Sequence, residues 1–159
     1  MRIIVLSDTH SSPLPAALIR DIRSADMIVH AGDFSDLEVY RQLKAMKDIR
    51  AVHGNMDGAA LHDALPKQTV FECEGVRVGL VHGDGSPKGT AARLGRLFKG
   101  QDVQVVVFGH SHEPYNEMVD GVLFFNPGSP TDTIRSPYLS YGVLELKDGK
   151  VKAKIVRLG

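Results

Sequence analysis

RIIVLS at residues 2–7, MIVHA at residues 27–31 and IRAVH at residues 49–53 are short apolar runs, and what lies between them decides the fold. Each carries β-branched residues and is too short for a helix, so each reads as a buried strand. After the first, Leu14, Ala17, Leu18 and Ile22 recur at helical spacing. This predicts an amphipathic helix from Pro13 to about Ser24, with Ser12 as its cap and Pro13 at its first position. After the second, Ser35-Asp36-Leu37-Glu38 has the form of a capping box, and Leu37, Tyr40, Leu43 and Met46 carry the face of a second helix. Strand, helix, strand, helix, strand implies a parallel sheet with right-handed crossovers.

Further along, the pattern changes. Thr69–Glu74 and Val76–His82 flank Gly75 as a hairpin, and Ser86 and Pro87 suit the cap and first position of a helix running to Phe98. Val103–Phe108 (VQVVVF) reads as a strand. Asp120-Gly121 joins Asn116–Val119 to Val122–Asn126, and Asp148-Gly149 joins Tyr141–Leu146 to Val151–Val156, both as tight turns between strands. The second half is therefore expected to be mainly antiparallel. The whole chain, residues 1–159, is expected to form one α/β domain of two packed mixed β-sheets flanked by helices.

Composition narrows the function. A chain of 159 residues, 43% hydrophobic, suits one sizeable core. Nineteen basic residues balance nineteen acidic ones, so overall charge gives no support for a nucleic-acid or membrane partner. The opening apolar run, Ile3–Leu6, is too short for a signal peptide or a membrane span. One cysteine, Cys73, makes no intramolecular disulfide, and a reducing compartment, the cytoplasm, is the expected location. Cys73 sits on a predicted hairpin strand and is expected only to pack. A homo-oligomer is compatible with this composition.

Five polar clusters each follow an apolar run: Asp8-Thr9-His10, Gly32-Asp33, Gly54-Asn55-Met56-Asp57, His82-Gly83-Asp84 and Gly109-His110-Ser111-His112. Side chains placed after strands converge at one edge of a sheet, where α/β proteins build their sites. Asp, His and Asn donors without a thiol suit Mn²⁺, Fe²⁺, Ni²⁺, Zn²⁺ or Co²⁺, and not a structural zinc knot. The candidates outnumber the ligands of one tetrahedral ion. That points to two ions sharing a carboxylate, about 3.5–4 Å apart. Asp8/His10 and His110/His112 are i, i+2 pairs, whose side chains share a side where the strand end is extended. Gly32, Gly54, Gly83 and Gly109 are expected to let the backbone turn and to leave room for the ions. Any one of these residues alone reads as a cap, a turn or a solvated side chain; the ordered set does not.

The set D-x-H, G-D, G-N-x-D, H-G and G-H-x-H resembles the calcineurin-like metallophosphoesterase superfamily, and within it the small bacterial and archaeal single-domain phosphodiesterases. The likeness runs from Asp8 to about Ser129 and takes in Asn126-Pro127-Gly128-Ser129, expected to support the site. It implies a four-layer sandwich, two divalent ions with Mn²⁺ first, and hydrolysis of a small phosphoester by a metal-bridging hydroxide. It places Asp8, His10 and His112 on the first ion, Asp33 between the ions, and Asn55, His82 and His110 on the second. Asp8, Asp33, Asn55 and Asp57 are the catalytic candidates it implies. In many relatives the residue after Gly-Asn is a histidine that protonates the leaving group; here it is Met56, whose thioether has no proton to give. Asp57 and His53 are the alternatives. General acid catalysis contributes about 10²–10⁴-fold, and its loss falls hardest on poor leaving groups. The expectation is thus a phosphodiesterase, with phosphomonoesterase activity second. A retromer trafficking subunit of similar fold is the rival, a protein-binding scaffold with no need of the seven donors, which are all intact here.

Other residues have plainer readings. His30, inside a predicted strand, reads as a hydrogen-bonded core histidine, and His62 as a surface residue in an unpatterned loop. His53 is given a structural or ligand-orienting role. Asp84 either orients a ligating imidazole or makes a turn. Lys88, Arg93, Arg96 and Lys99 form a basic face on the predicted third helix, solvated or facing an anion, and Arg135 is a candidate for meeting a phosphate.

Overall fold

The computed structural model describes residues 1–10 and 13–159. Strands β1 (Arg2–Leu6), β2 (Met27–His30) and β3 (Ile49–Ala51) run parallel, with Ile4 beside Ile28 and Ile28 beside Ile49. Helices α1 (Ala16–Ser24) and α2 (Leu37–Met46) make the crossovers, followed by a short helix α3 (Ala59–Ala64). Next come β4 (Gln68–Cys73), β5 (Val76–Val81), α4 (Thr90–Leu97), β6 (Val105–Val107), β7 (Tyr115–Val119) and β8 (Val122–Asn126). The chain closes with β9 (Ser140–Lys147) and β10 (Lys150–Arg157). The strands form two sheets, ordered β10-β9-β1-β2-β3 and β4-β5-β6-β8-β7.

The period of two along each strand separates the layers. Ile3 and Val5 of β1 face Val78, Leu80, Val105 and Phe125 across the gap between the sheets. Ile4, Leu6 and Ile28 point the other way, against Leu18, Ile22, Leu43 and Leu61 of the three N-terminal helices. On the far side, Val106 and Phe124 pack on Leu94 and Phe98 at α4. Helices, sheet, sheet, helix is a four-layer sandwich, as the sequence predicts. Among the described residues no helix is long and apolar enough to cross a membrane.

Several local expectations are corrected. The second half is mainly antiparallel, as expected, through β4–β5, β7–β8, β9–β10 and β9 against β1, but two pairings in it are parallel: β6 lies parallel to β5, which α4 joins to it as a crossover, and β8 lies parallel to β6. Helix α1 begins at Ala16, after Pro15, whose ring disfavours a helical residue before it; the Ser12 cap lies outside the described residues. Helix α2 is capped by Asp36, which accepts from the Val39 N–H at 3.1 Å, and Ser35 is left free for another task. Helix α4 starts at Thr90 because Gly89 is left-handed (φ 74°), while the Ser86 hydroxyl accepts from the Lys88 N–H outside the helix. His62 lies exposed on α3, a helix too short to show a period.

Candidate metal centre

The five clusters meet at one edge of the sandwich. Asp8, Asp33, His82 and His112 are buried, His10 and His110 partly so, and Asn55 is exposed. Two groups of donor atoms lie within 4.8 Å of one another: Asp8, His10 and His112, and Asp8, Asp33 and His82. Asp8 is common to both. Its Oδ1 is 3.3 Å from His112 Nε2 and 3.9 Å from His82 Nε2. Asp33 Oδ2 is 3.2 Å from His82 Nε2, so Asp33, which the family likeness puts between the ions, stands in the second group alone. Asn55 and His110 join at its margin, where His110 Nδ1 donates to Asn55 Oδ1 at 3.3 Å.

The ligand pairs are not extended strand ends. Asp8 (φ 54°), His10 (φ 49°), Asp33 (φ 62°), His110 (φ 73°) and His112 (φ 62°) all have left-handed backbones. Side chains rarely tolerate this region, and such residues gather at functional sites. Two glycines are explained by crowding around carboxylates, not by room for ions. A Cβ at Gly54 would run into the Asp33 carboxylate, and one at Gly109 into Ser7 and the Asp8 carboxylate.

Each donor is held by a partner behind it. Asp8 Oδ2 accepts from the Ser7 hydroxyl (2.7 Å) and the His110 N–H (3.1 Å). Asp33 Oδ1 accepts from the Met56 N–H at 2.8 Å. His10 Nδ1 is 2.9 Å from the Ser35 hydroxyl, the task for which Ser35 is free. His82 Nδ1 donates to the Ala31 carbonyl at 2.7 Å, so the backbone orients this ring, and Asp84 is a surface residue whose carbonyl accepts from Arg93. His112 Nδ1 is 2.6 Å from Asp132 Oδ2. Fixing one ring nitrogen aims the other into the centre. Sequence reasoning missed Asp132. The signal was its place three residues after Ser129, whose hydroxyl donates to the Asp8 carbonyl and accepts from the Asp132 N–H.

Asp57 is committed elsewhere. Its Oδ2 accepts from the Gly54 N–H (2.7 Å) and the Asp33 N–H (3.0 Å), and its Oδ1 from the Ser35 N–H (2.9 Å). It braces the loops after β2 and β3 in place of facing the centre as a free acid. His53 stacks on His62. His30 is the core histidine expected: its Nδ1 accepts from Gly32 N–H, which leaves Nε2 to donate to Thr9, and it stacks on Phe34. Arg135 offers its backbone N–H to Asp132 Oδ1, and Arg93 donates to the carbonyls of Asp84, Ser86 and Lys88, tying down the loop before α4. Cys73 packs beside the core between the sheets.

The electrostatics are those of a cation site. Burial pulls the His82 imidazole down, but the Asp33 and Asp8 carboxylates outweigh it and its pKa is raised. His112 is raised likewise, with Asp8 and Asp132 overcoming burial. Asp33 is lowered, since His82 and the Met56 N–H outweigh its burial. By contrast, burial holds His30 well below its ordinary value, neutral in the core. Among the described residues, two buried atoms facing the centre, Asp8 Oδ1 and His82 Nε2, have no hydrogen-bond partner, the latter 3.2 Å from Asp33 Oδ2. Buried polar atoms are seldom left so, and divalent cations satisfy both. The donor set fits.

Fold and donors together are those of a metal-binding α/β sandwich. The calcineurin-like phosphoesterase superfamily domain matches residues 1–149, and the chain belongs to this superfamily. A probable metallophosphoesterase of Methanothermobacter thermautotrophicus is 34% identical over 166 residues, spanning 100% of this chain and 94% of its own. A phosphodiesterase of Methanocaldococcus jannaschii is 30% identical, spanning 80% of this chain and 83% of its own. Among solved structures, wild-type Vps29 of Entamoeba histolytica complexed with Zn²⁺ shares the fold, with a TM-score of 0.80, 24% identity and 99% of each chain covered.

Proposed function

We propose that this protein is a phosphodiesterase acting on a small phosphoester with two divalent ions, Mn²⁺ foremost. The observation that carries the reading is the pair of donor groups joined at buried Asp8, with two buried atoms that have no partner among the described residues facing the space between. Asp8, His10 and His112 would hold one ion; Asp33 and His82, with Asn55 and His110, the other. When bound, such ions supply a water made nucleophilic near neutral pH and positive charge for the phosphoryl oxygens. The chain's own residues set the geometry: Asp132, Ser35 and the Ala31 carbonyl fix three imidazoles, so little reorganisation remains for the reaction.

The leaving-group side supports a diester. Met56 is exposed, has no proton to give, and uses its backbone N–H on Asp33. Asp57 is bound to three amides, so no acid stands at positions 56 or 57. Two clefts, of about 270 and 490 Å³, flank the centre, one beside His110 and Ser111, the other beside Asn55 and His82. A diester has two organic arms to place; a monoester has one. The named phosphodiesterase relative agrees with this reading.

The test is a metal-stripped preparation assayed on aryl diesters, alkyl diesters and monoesters with each divalent ion restored. Aryl diesters should turn over fastest, and Met56→His should raise the rate on poor leaving groups more than on activated ones. No metal-dependent turnover on any ester would leave the scaffold reading standing. Monoesters hydrolysed faster than aryl diesters would overturn the diester assignment.

A further inference from the structure

The larger cleft, about 490 Å³, has the size of a small-molecule site and opens onto the centre through Asn55 and His82. One wall is the His53–His62 stack, with ring centroids 3.8 Å apart and 24° between the planes. Leu94 and Leu97 of α4 also line it, and Leu97 is 45% exposed. Lys67 and Asp84 stand on the rim with opposite charges, and Gln68 adds an amide that both donates and accepts.

We propose that this cleft holds one organic arm of the substrate and that the arm is a flat aromatic ring, the chemistry shared by a nucleobase and a simple aryl group. The inference rests on the phosphodiesterase reading and names its substrate class. An aromatic face against an imidazole and an apolar side chain gains stacking that an alkyl arm does not. The opposed rim charges give no field for a polyanion, while Gln68 suits the polar edge of a heterocycle. The wall is also pre-formed. Leu61 anchors α3 in the core, and the His53 N–H donates to the Pro66 carbonyl at 3.1 Å, so the two rings meet from separately fixed elements. A pre-formed wall spares the ligand an ordering cost.

The test measures binding by calorimetry on the full Mn²⁺-loaded chain with phenylphosphonate, methylphosphonate and uridine 5′-monophosphate. Phenylphosphonate should bind about fivefold to tenfold tighter than methylphosphonate. His62→Ala and Leu97→Ala, from separate elements lining the cleft and both at exposed positions, should each bring that ratio below about threefold and leave methylphosphonate affinity unchanged. Uridine monophosphate binding tighter than phenylphosphonate assigns the arm to a nucleoside, and the reverse to a simple aryl group. Equal affinity for the two phosphonates, or a preference that survives both substitutions, overturns the proposal. Loss of the phosphodiesterase reading would appear separately, as absent turnover, because the phosphonates report binding without reaction.

Discussion

Replacing Asp57 with alanine removes a carboxylate that three backbone amides share, at 2.7, 2.9 and 3.0 Å. Hydrogen bonds to a charged group contribute about 1.5–3 kcal/mol each, so even the low end of that range puts the loss at about 4.5 kcal/mol. The Gly54 and Asp33 amides belong to buried residues and find no easy substitute. Set against a typical stability of about 5–15 kcal/mol, this is a large fraction of the whole. Asp57→Asn is milder, because one oxygen still accepts from Gly54 and Asp33 while the amide NH₂ meets the Ser35 N–H; its cost should be about 2 kcal/mol. Urea unfolding of metal-free protein measures both, and the melting point of Asp57→Ala should fall by about 9–18 °C. Alanine within about 1 kcal/mol of wild type would refute the bracing role. If Asp57 were instead the proton donor, Asp57→Asn would spare stability and slow only esters with poor leaving groups.

Asp132→Asn should lower metal affinity about 10–100-fold by loosening His112, read by competition with a chromogenic chelator; unchanged affinity would dismiss Asp132 as an orienting residue. Asp33→Asn should release both ions if Asp33 bridges them, and only one if Asp8 is the shared carboxylate, as metal analysis would show. The Asp8, Asp33 and Asp132 carboxylates hold His82 and His112 above the ordinary imidazole pKa, so protons compete with ions for them and apparent metal affinity should fall as pH is lowered through and below neutrality; an affinity unchanged between pH 8 and pH 5, read by chelator competition, would contradict this. Tyr141, buried and donating to the Asp21 carboxylate, is pushed up to about 12, chiefly by burial. Its stabilising effect is full below pH 10 and lost as pH climbs toward 12, so Tyr141→Phe should flatten the wild-type decline in unfolding free energy over that window.

How far the sequence could be read follows from which physics writes itself into residue patterns. The β1-α1-β2-α2-β3 unit was legible because apolar periods of two and 3.6 leave a direct trace, as did the tight turns at Asp120-Gly121 and Asp148-Gly149. The gathering of Asp8, Asp33, His82 and His112 was legible because each follows a strand. Backbone handedness was not: nothing in D-x-H or G-H-x-H says that Asp8 or His110 has a positive φ. Asp132 escaped because a carboxylate that turns an imidazole 20 residues away has no spacing rule. The bracing contacts of Asp57 were hidden for a related reason, since acceptance from three main-chain amides is invisible in a string of side chains. The parallel pairing of β8 with β6 was not legible, because either strand of the β7–β8 hairpin could have lain against β6 and the sequence pattern does not choose between them.

The five left-handed aspartates and histidines carry an evolutionary consequence. Glycine and asparagine sit in that region with less penalty, and residues held there against preference cost on the order of 1–3 kcal/mol each. Selection for stability alone would relieve that strain with glycine where the side chain is only partly buried, as at His10 and His110, whereas at Asp8 and Asp33 it would also forfeit the hydrogen bonds from Ser7, His110 and Met56. A lineage released from its chemistry would drift down that slope without losing the sandwich. Keeping histidines there means holding metal donors against backbone preference, with some thermal robustness given up for the cation site.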